Sequence, residues 1–175
     1  MKTLTNVSLA AAVLGLTAGY VAHAENRASP HEEVHATVGG KKITIVYGRP
    51  YKKGRDIFGA LVPWGQVWRT GADEATTLTT DGDLTIGDLK VPKGSYALFT
   101  IPGASQWQLV VNKTPKQWGA FKYDAKDDLG KTAMKVGAAP APLEQLTISV
   151  DPAAGGKATL KVGWDKTVAS VAVTP

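Results

Sequence analysis

Residues 39–47 read GGKKITIVY, and this short stretch indicates the fold class of the whole chain. The run ITIVY at 43–47 consists of β-branched and aromatic residues, which pack well on the pleated surface of a strand. It follows Gly39-Gly40, a dipeptide that suits a two-residue hairpin turn. The stretch therefore predicts a β-hairpin whose second strand begins just after the glycines.

Runs of the same kind recur at regular spacing along the rest of the chain. Residues 75–80 and 84–86 flank Asp81-Gly82, which predicts a second hairpin. Further runs, separated by Gly, Pro and Asp clusters, lie at 95–101, 106–112, 143–150, 158–164 and 168–173. Short, evenly spaced strands of this kind are typical of a sandwich or barrel and not of a βαβ fold. We therefore predict an all-β fold, a single antiparallel β-sandwich that is jelly-roll-like in outline, with little helix.

The first 24 residues have the pattern of a secretory signal peptide. Lys2 precedes an apolar run from Val7 to Tyr20, and Ala22-His23-Ala24 forms an A-x-A cleavage site. The apolar run is shorter than the roughly 20 residues that span a bilayer, so we do not expect an integral membrane protein. We expect cleavage after Ala24, which leaves residues 25–175 as one β-sandwich domain. The sequence thus predicts a periplasmic or secreted protein.

Charge and cysteine content exclude several classes of protein. The chain has 20 basic and 15 acidic residues, and its lysines are dispersed along it. A nucleic-acid-binding protein would show a basic stripe with interleaved aromatics or a known module, so we predict no nucleic-acid partner. The chain contains no cysteine, so neither a disulfide framework nor a lipid-modified cysteine is expected. None of these features determines the oligomeric state.

His31-Glu32-Glu33-Val34-His35 matches the H-E-x-x-H pattern of zinc metalloproteases, in which both histidines lie on one helix. The same residues also fit a strand that leads into the Gly39-Gly40 hairpin. In a strand, His31 and His35 would lie about 13 Å apart, too far to share one zinc ion. We predict the strand and no metal, and keep a His31/His35 zinc site as the alternative.

Other catalytic signatures are absent from the sequence. It has no cysteine nucleophile, no G-x-S-x-G turn and no Gly-rich phosphate loop, so we predict no cofactor. Carboxylates in the loops could serve as an acid and base pair, but their separation in space decides that chemistry. Whether the protein is an enzyme stays open at this point.

Several longer blocks resemble one bacterial family. They are SP at 29–30, YGRP at 47–50, KGRDIFGALVPWGQVWRTGADEATT at 53–77, VPKGSYALFTIPG at 91–103 and NKTPKQWGAFKYD at 112–124. Together they resemble the family called domain of unknown function 2911, over nearly all of residues 25–175. The resemblance implies an exported all-β single domain without an established activity. Members usually read T-G-A-N-E where this sequence has Asp73, which adds a negative charge beside Glu74.

These blocks contain a cluster of side chains that suits a ligand. Arginine and lysine can donate to an acidic group, aromatic rings can stack on a sugar or an apolar body, and the acid pair can orient the arginines or accept hydroxyls. The candidate ligand-binding residues are Arg49, Lys53, Arg55, Trp68, Arg69, Asp73, Glu74, Tyr96 and Trp118. In the competing structural interpretation, Arg69 pairs with the acids and Trp64 and Trp68 plug one end of the sandwich.

Because the cluster falls in a long segment between strands, where function concentrates, we favour a binding site. We predict that the protein binds a small or polymeric envelope ligand, either a glycan or a carboxylated molecule. The first alternative is a hydrolase that uses loop carboxylates or the His31/His35 zinc site. The second is a structural or protein-partner-binding envelope protein.

Overall fold

Nine β-strands and two single turns of 3-10 helix form the fold in the computed structural model, which describes residues 27–175. The strands are β1 (His31–Val38), β2 (Lys41–Gly48), β3 (Ala72–Thr80), β4 (Leu84–Ile86), β5 (Leu89–Val91), β6 (Gly94–Ile101), β7 (Gln106–Asn112), β8 (Asp128–Ala153) and β9 (Lys157–Thr174). The 3-10 turns lie at Ala125–Asp127 and Ala154–Gly156. The predicted signal peptide at 1–24 lies outside the described residues.

All nine strands belong to one antiparallel sheet with the order β1-β2-β3-β6-β7-β8-β9-β4-β5. The prediction of an antiparallel all-β fold with little helix is therefore confirmed. The order is mostly sequential, and only the β4–β5 hairpin leaves its place to pair with the end of β9. The comparison with a jelly roll thus applies to the outline and not to the connections between strands.

The hairpin predicted from GGKKITIVY is present. Gly39 and Gly40 have φ values of 54° and 81°, and β1 pairs with β2 directly through this turn. Two positive φ angles in succession are what a tight hairpin of this kind requires, and glycine adopts them without a steric cost. The interpretation of residues 31–38 as a strand is also confirmed.

The second predicted hairpin, at Asp81-Gly82, is wrong. The chain does turn there, but β3 is already paired with β2 on one side and β6 on the other, so no edge is left for β4. Asp81 instead accepts a hydrogen bond from the backbone N–H of Lys42 at 2.7 Å. The turn therefore redirects the chain to the other edge of the sheet.

The sheet folds over itself because β8 and β9 are long, with 26 and 18 residues. The pairing of β8 with β9 is irregular between Ala138 and Leu143, around two prolines. Beyond this break, β8 reaches the end of β2 and the residues that follow it, where the Leu146 N–H donates to the Pro50 carbonyl at 3.0 Å. The Ile148 N–H likewise donates to the Tyr47 hydroxyl at 3.0 Å. The result is two layers built from one sheet.

The main core lies between these layers. Along β2, Ile43, Ile45 and Tyr47 are buried and alternate with half-exposed residues, as expected for a strand with one face inward. Leu160 and Val162 of β9 belong to the same buried cluster. Each such aliphatic side chain contributes roughly 1.5–3 kcal/mol when it is fully buried.

A smaller core lies on the other face of the sheet. Phe99 of β6 and Val110 of β7 are fully buried there, and they pack against Val67 and Tyr123 from two connecting segments. These segments are the β2–β3 connection at 49–71 and the β7–β8 connection at 113–127, which includes the first 3-10 turn. Because both are anchored over strands, they present their polar side chains in fixed positions.

Candidate functional site

The β2–β3 connection, which carries most of the candidate site residues, is held to β6 by backbone hydrogen bonds. The Trp68 N–H donates to the Thr100 carbonyl at 2.8 Å, and the Thr100 N–H donates to the Trp68 carbonyl at 2.9 Å. The next turn contains Thr70 with φ of 55°, a left-handed conformation that is uncommon for a β-branched residue. Thr76 stabilises it by donating its hydroxyl to the Thr70 carbonyl at 2.9 Å. Arg69 is thus placed between two fixed residues.

Trp68 packs in an aromatic cluster at one end of the main core. Its ring stacks on Trp164 with centroids 6.2 Å apart and meets Trp107 edge-on at 6.4 Å. Phe58 contacts Trp68 edge-on at 6.0 Å. Pairs in these geometries are stabilising, so the exposed part of Trp68 forms a rigid surface. The structural and the functional interpretations of this residue are therefore compatible.

A cavity of about 520 Å³ opens beside this surface. Its apolar wall is formed mainly by Tyr51, Leu61, Val62, Trp68 and Trp164. Its charged side chains are Lys53, Arg55, Arg69 and Asp73. The structure thus brings together five of the nine candidate residues, and it adds the aromatic rings of Tyr51 and Trp164.

Arg69 differs from the other described arginines in having no partner for its guanidinium group. The side chain is half-buried, its Nε is fully buried, and no hydrogen bond or ion pair to its guanidinium occurs within residues 27–175. Burial lowers the pKa of Arg69 from its usual range, and the negative charge of Asp73 partly opposes that shift. Keeping a half-buried cation without an acceptor costs stability, and this sets Arg69 apart from the paired arginines.

The other two cations of the cavity differ from each other. The Nε of Arg55 donates to the Lys52 carbonyl at 2.9 Å, and its Nη2 donates to the Tyr51 carbonyl at 2.5 Å. The Arg55 guanidinium group therefore stabilises its own loop. Lys53 bonds Glu144 only through its backbone N–H, at 2.9 Å. Within the described part of the chain, the Lys53 ammonium group has no partner. Lys53 and Arg69 are thus the two cations of the cavity lining whose charged groups have no partner within the described residues.

Arg49 is not part of the cavity lining. Its Nε donates to the Leu146 carbonyl at 2.9 Å, and its Nη2 donates to the Thr147 hydroxyl at 3.1 Å. Its Nη1 pairs with the Glu32 carboxylate at 2.8 Å. With all three nitrogens in use, Arg49 ties β1 and the end of β2 to β8.

Asp73 and Glu74 both approach His31, although adjacent residues of a strand normally point to opposite faces. Asp73 has φ of 62°, and this left-handed conformation departs from the regular strand. His31 Nε2 lies 3.5 Å from Asp73 Oδ2 and 3.3 Å from Glu74 Oε2. These three atoms are buried and have no hydrogen bond. The sequence did not predict His31 as the partner of the acid pair, because about forty residues separate them along the chain.

Glu74 also pairs with Arg27, whose Nη2 lies 2.6 Å from Oε1. Burial alone would raise the pKa of Glu74, but the hydrogen bond from Arg27 and the charges of Arg27 and His31 hold it below its usual value. Glu74 is therefore a carboxylate paired with Arg27. Sequence reasoning missed Arg27, which precedes the first strand and has no motif around it.

Two of the candidate aromatic residues lie elsewhere. Tyr96 is buried in the main core and donates its hydroxyl to the Pro92 carbonyl at 2.9 Å. Trp118 is 50% exposed and forms a backbone bridge with Glu74. It lines a second cavity of about 510 Å³ together with Arg27 and His31. Trp118 and Trp68 therefore face different cavities.

The H-E-x-x-H residues lie in β1, so His31 and His35 are separated by four strand positions. His35 contacts the Thr44 hydroxyl at 3.1 Å and is exposed. The strand spacing of about 13 Å rules out one ion bound by both histidines. Within residues 27–175, no group of three or more His, Cys, Asp or Glu side chains has the arrangement of a metal site.

Residues 29–173 match the model of the family described as Protein of unknown function (DUF2911). The chain belongs to this family. The match confirms the resemblance and covers the sheet except for Thr174, the last residue of β9. No curated protein and no solved structure matches it. Across residues 27–175, no helix has the length and apolar character needed to cross a membrane.

Proposed function

We propose that this protein binds a small ligand with a carboxylate group in the cavity beside Trp68, and that it does so after export to the periplasm or the medium. The observation that carries the proposal is the Arg69 guanidinium, which is half-buried and has no acceptor in the described structure. The predicted signal peptide and the family resemblance support export.

A carboxylate in the cavity would satisfy Arg69. The planar guanidinium fork matches the two oxygens of a carboxylate, and such charge-assisted pairs are stronger than neutral hydrogen bonds. Lys53 lies in the same cavity lining and adds a second positive charge without a partner in the described structure. The ligand's acidic group is therefore expected at Arg69, with Lys53 as a second cation in the same cavity lining.

The aromatic wall would hold the body of the ligand. Trp68 and Trp164 are parallel to within 14° and are fixed by the core, so they lose little side-chain entropy on binding. A cavity of about 520 Å³ lies within the usual range for small-molecule sites. A small molecule, or the end of a glycan that carries a uronic acid, fits these dimensions.

The test is calorimetric titration of the protein with matched acids and neutral analogues. The pairs are 3-phenylpropionate with its amide, and glucuronate with glucose. We expect at least one acid to bind and its neutral partner to bind at least about tenfold more weakly, because the charged hydrogen bonds are lost. Arg69→Met should lower the affinity for the acid by a similar factor, whereas Arg69→Lys should keep part of that affinity.

Unchanged affinity in Arg69→Met would contradict the proposal. If none of the acids binds, the structural or partner-binding function considered from the sequence becomes the better account of the fold. Folding of both variants is checked by thermal melts, so a loss of binding is not confused with unfolding.

One observation favours a second function, hydrolysis of a bound ester. His31 lies between the Asp73 and Glu74 carboxylates, and such a group can hold and transfer a proton. If this cluster is catalytic, the protein releases 4-nitrophenol from 4-nitrophenyl acetate faster than a His31→Asn variant does. Equal rates in the two proteins would leave binding as the function that the site supports.

A further inference from the structure

We infer that the ligand is a zwitterion of the α-amino acid type, with its carboxylate on Arg69 and its ammonium group on Asp73. This inference rests on the proposed function, because it assigns the acidic group of the ligand to Arg69. It goes further in naming the chemical class of the ligand and in giving Asp73 a role in specificity.

The inference begins with two opposite charges that line one cavity and do not pair. Arg69 and Asp73 both contribute to the cavity lining, yet no ion pair between them occurs in the described structure. Asp73 Oδ2 is buried without a hydrogen bond, as is Arg69 Nε. A ligand with both charges would satisfy both groups at once, whereas a simple acid would satisfy only one.

Backbone contacts hold the two residues in these positions. The Gly119 N–H donates to the Asp73 carbonyl at 3.0 Å, and the Thr76 N–H donates to the Arg69 carbonyl at 3.1 Å. Asp73 itself adopts φ of 62°, a conformation that costs energy for a residue with a side chain. Strain of this kind is characteristic of functional sites, and in this position the Asp73 carboxylate has its Oδ2 at 3.5 Å from His31 Nε2.

The negative charge of Asp73 would let the site discriminate between simple acids and amino acids. A plain carboxylate bound at Arg69 would experience repulsion from Asp73, because like charges in a partly buried site are poorly screened. An ammonium group on the adjacent carbon converts that repulsion into attraction. Asp73 would therefore select amino acids over simple acids by both mechanisms, rejection of one class and recognition of the other.

His31 and Glu74 complete the surroundings of Asp73. His31 Nε2 lies 3.5 Å from Asp73 Oδ2, and Glu74 is anchored by Arg27 on the side of the second cavity. Glu74 is thus a carboxylate close in sequence whose charge is already paired. Neutralising Glu74 is therefore a matched control, because it removes a negative charge near the site and leaves the charges that line the cavity beside Trp68 unchanged.

The experiment compares three pairs of ligands that differ only in the ammonium group. They are phenylalanine with 3-phenylpropionate, alanine with propionate, and glutamate with glutarate. Calorimetric titration at neutral pH should show at least one amino acid binding at least about tenfold more tightly than its deaminated partner, the effect of one charged hydrogen bond. N-acetylation of that amino acid should abolish the preference.

Asp73→Asn is the variant that tests the residue. Asparagine has nearly the same shape and also tolerates a left-handed backbone, so the fold should be retained. We expect the preference for the amino acid to fall to about twofold or less, while Glu74→Gln keeps it. The N-acetylated ligand tests the same point on the wild-type protein if Asp73→Asn does not fold.

The outcomes separate this inference from the proposed function. If the simple acids bind through Arg69 and the amino group adds no affinity in any pair, the assignment of the ligand as a zwitterion is wrong, while the proposed binding of a carboxylate stands. If the preference exists but survives in Asp73→Asn, the role of Asp73 is wrong. If no ligand in the three pairs binds, both the inference and the function on which it rests are overturned.

Discussion

Arg49 and Arg69 lie near the two ends of the connection between β2 and β3, and their surroundings are opposite. Arg49 uses three of its nitrogens on Leu146, Thr147 and Glu32. Arg69 is half-buried beside a cavity with no partner for its guanidinium within the described residues. The comparison shows that one residue type serves as a structural clamp at one end of a loop and as an open donor at the other.

The difference also has an energetic side. Each of the three guanidinium nitrogens of Arg49 has an acceptor, so the side chain stabilises the folded state. Arg69 is desolvated without compensation, which costs stability unless a ligand supplies the acceptor. Residues that destabilise the free protein in this way are expected at functional sites. Four substitutions test or sharpen the comparison.

Arg49→Met should have the largest effect on stability. The change leaves Glu32 without its partner and removes donors to Leu146 and Thr147, so we expect a loss of about 2–3 kcal/mol in the free energy of unfolding. Urea denaturation measures it. A variant as stable as the wild type would show that Arg49 is not a clamp.

Arg69→Met should change stability in the other direction or not at all. Removing an unpaired, half-buried charge leaves the free energy of unfolding within about 1 kcal/mol of the wild type, or raises it. The same urea series measures it, and Arg49→Met is the matched control. A loss as large as that of Arg49→Met would mean that Arg69 has a structural partner.

Glu74→Gln should reveal a pH-dependent contribution to stability. Since the folded protein holds the pKa of Glu74 below its usual value, this contribution is present at neutral pH and is lost as the pH falls through the folded pKa. Wild type and variant should therefore converge in thermal melts as the pH falls from about 7 to about 3. A difference that grows on acidification would contradict this assignment.

Trp118→Ala should have the smallest effect on the cavity beside Trp68. Trp118 is half-exposed and lines the other cavity, so the affinity for a carboxylate should stay within about twofold of the wild type, the scatter expected when no contact is lost. Calorimetric titration measures it. A large loss of affinity would place the ligand in the second cavity and not beside Trp68.

Part of this structure follows from local sequence. The alternation in ITIVY and the two glycines before it predicted β1, β2 and their turn, because strand periodicity and turn chemistry act over a few residues. The Asp81-Gly82 hairpin was wrong, since which strand pairs with which depends on free edges elsewhere in the sheet. The strand at 128–137 was not predicted, although Thr132 and Met134 alternate there with exposed residues.

The candidate site also has a part that local sequence predicts and a part that depends on distant contacts. Residue types, and a position in or directly after a long connection, predicted Arg69, Trp68 and Asp73, which do line one cavity. The sequence offered no means to separate Arg49 from Arg69, because the difference lies in partners on β8, almost a hundred residues away along the chain. His31 became a neighbour of the acid pair only through the pairing of the first three strands and the left-handed turn at Asp73.

The most direct test of the central claim observes the arginine side chains themselves. The chain has four arginines, so their Nε–H signals can be assigned by substitution in a nitrogen-15 correlation spectrum. Titration with the acid that binds best should shift the Arg69 signal and leave the Arg49 signal in place. A spectrum in which Arg69 stays unchanged while the acid binds, or in which Arg49 shifts instead, would contradict the account.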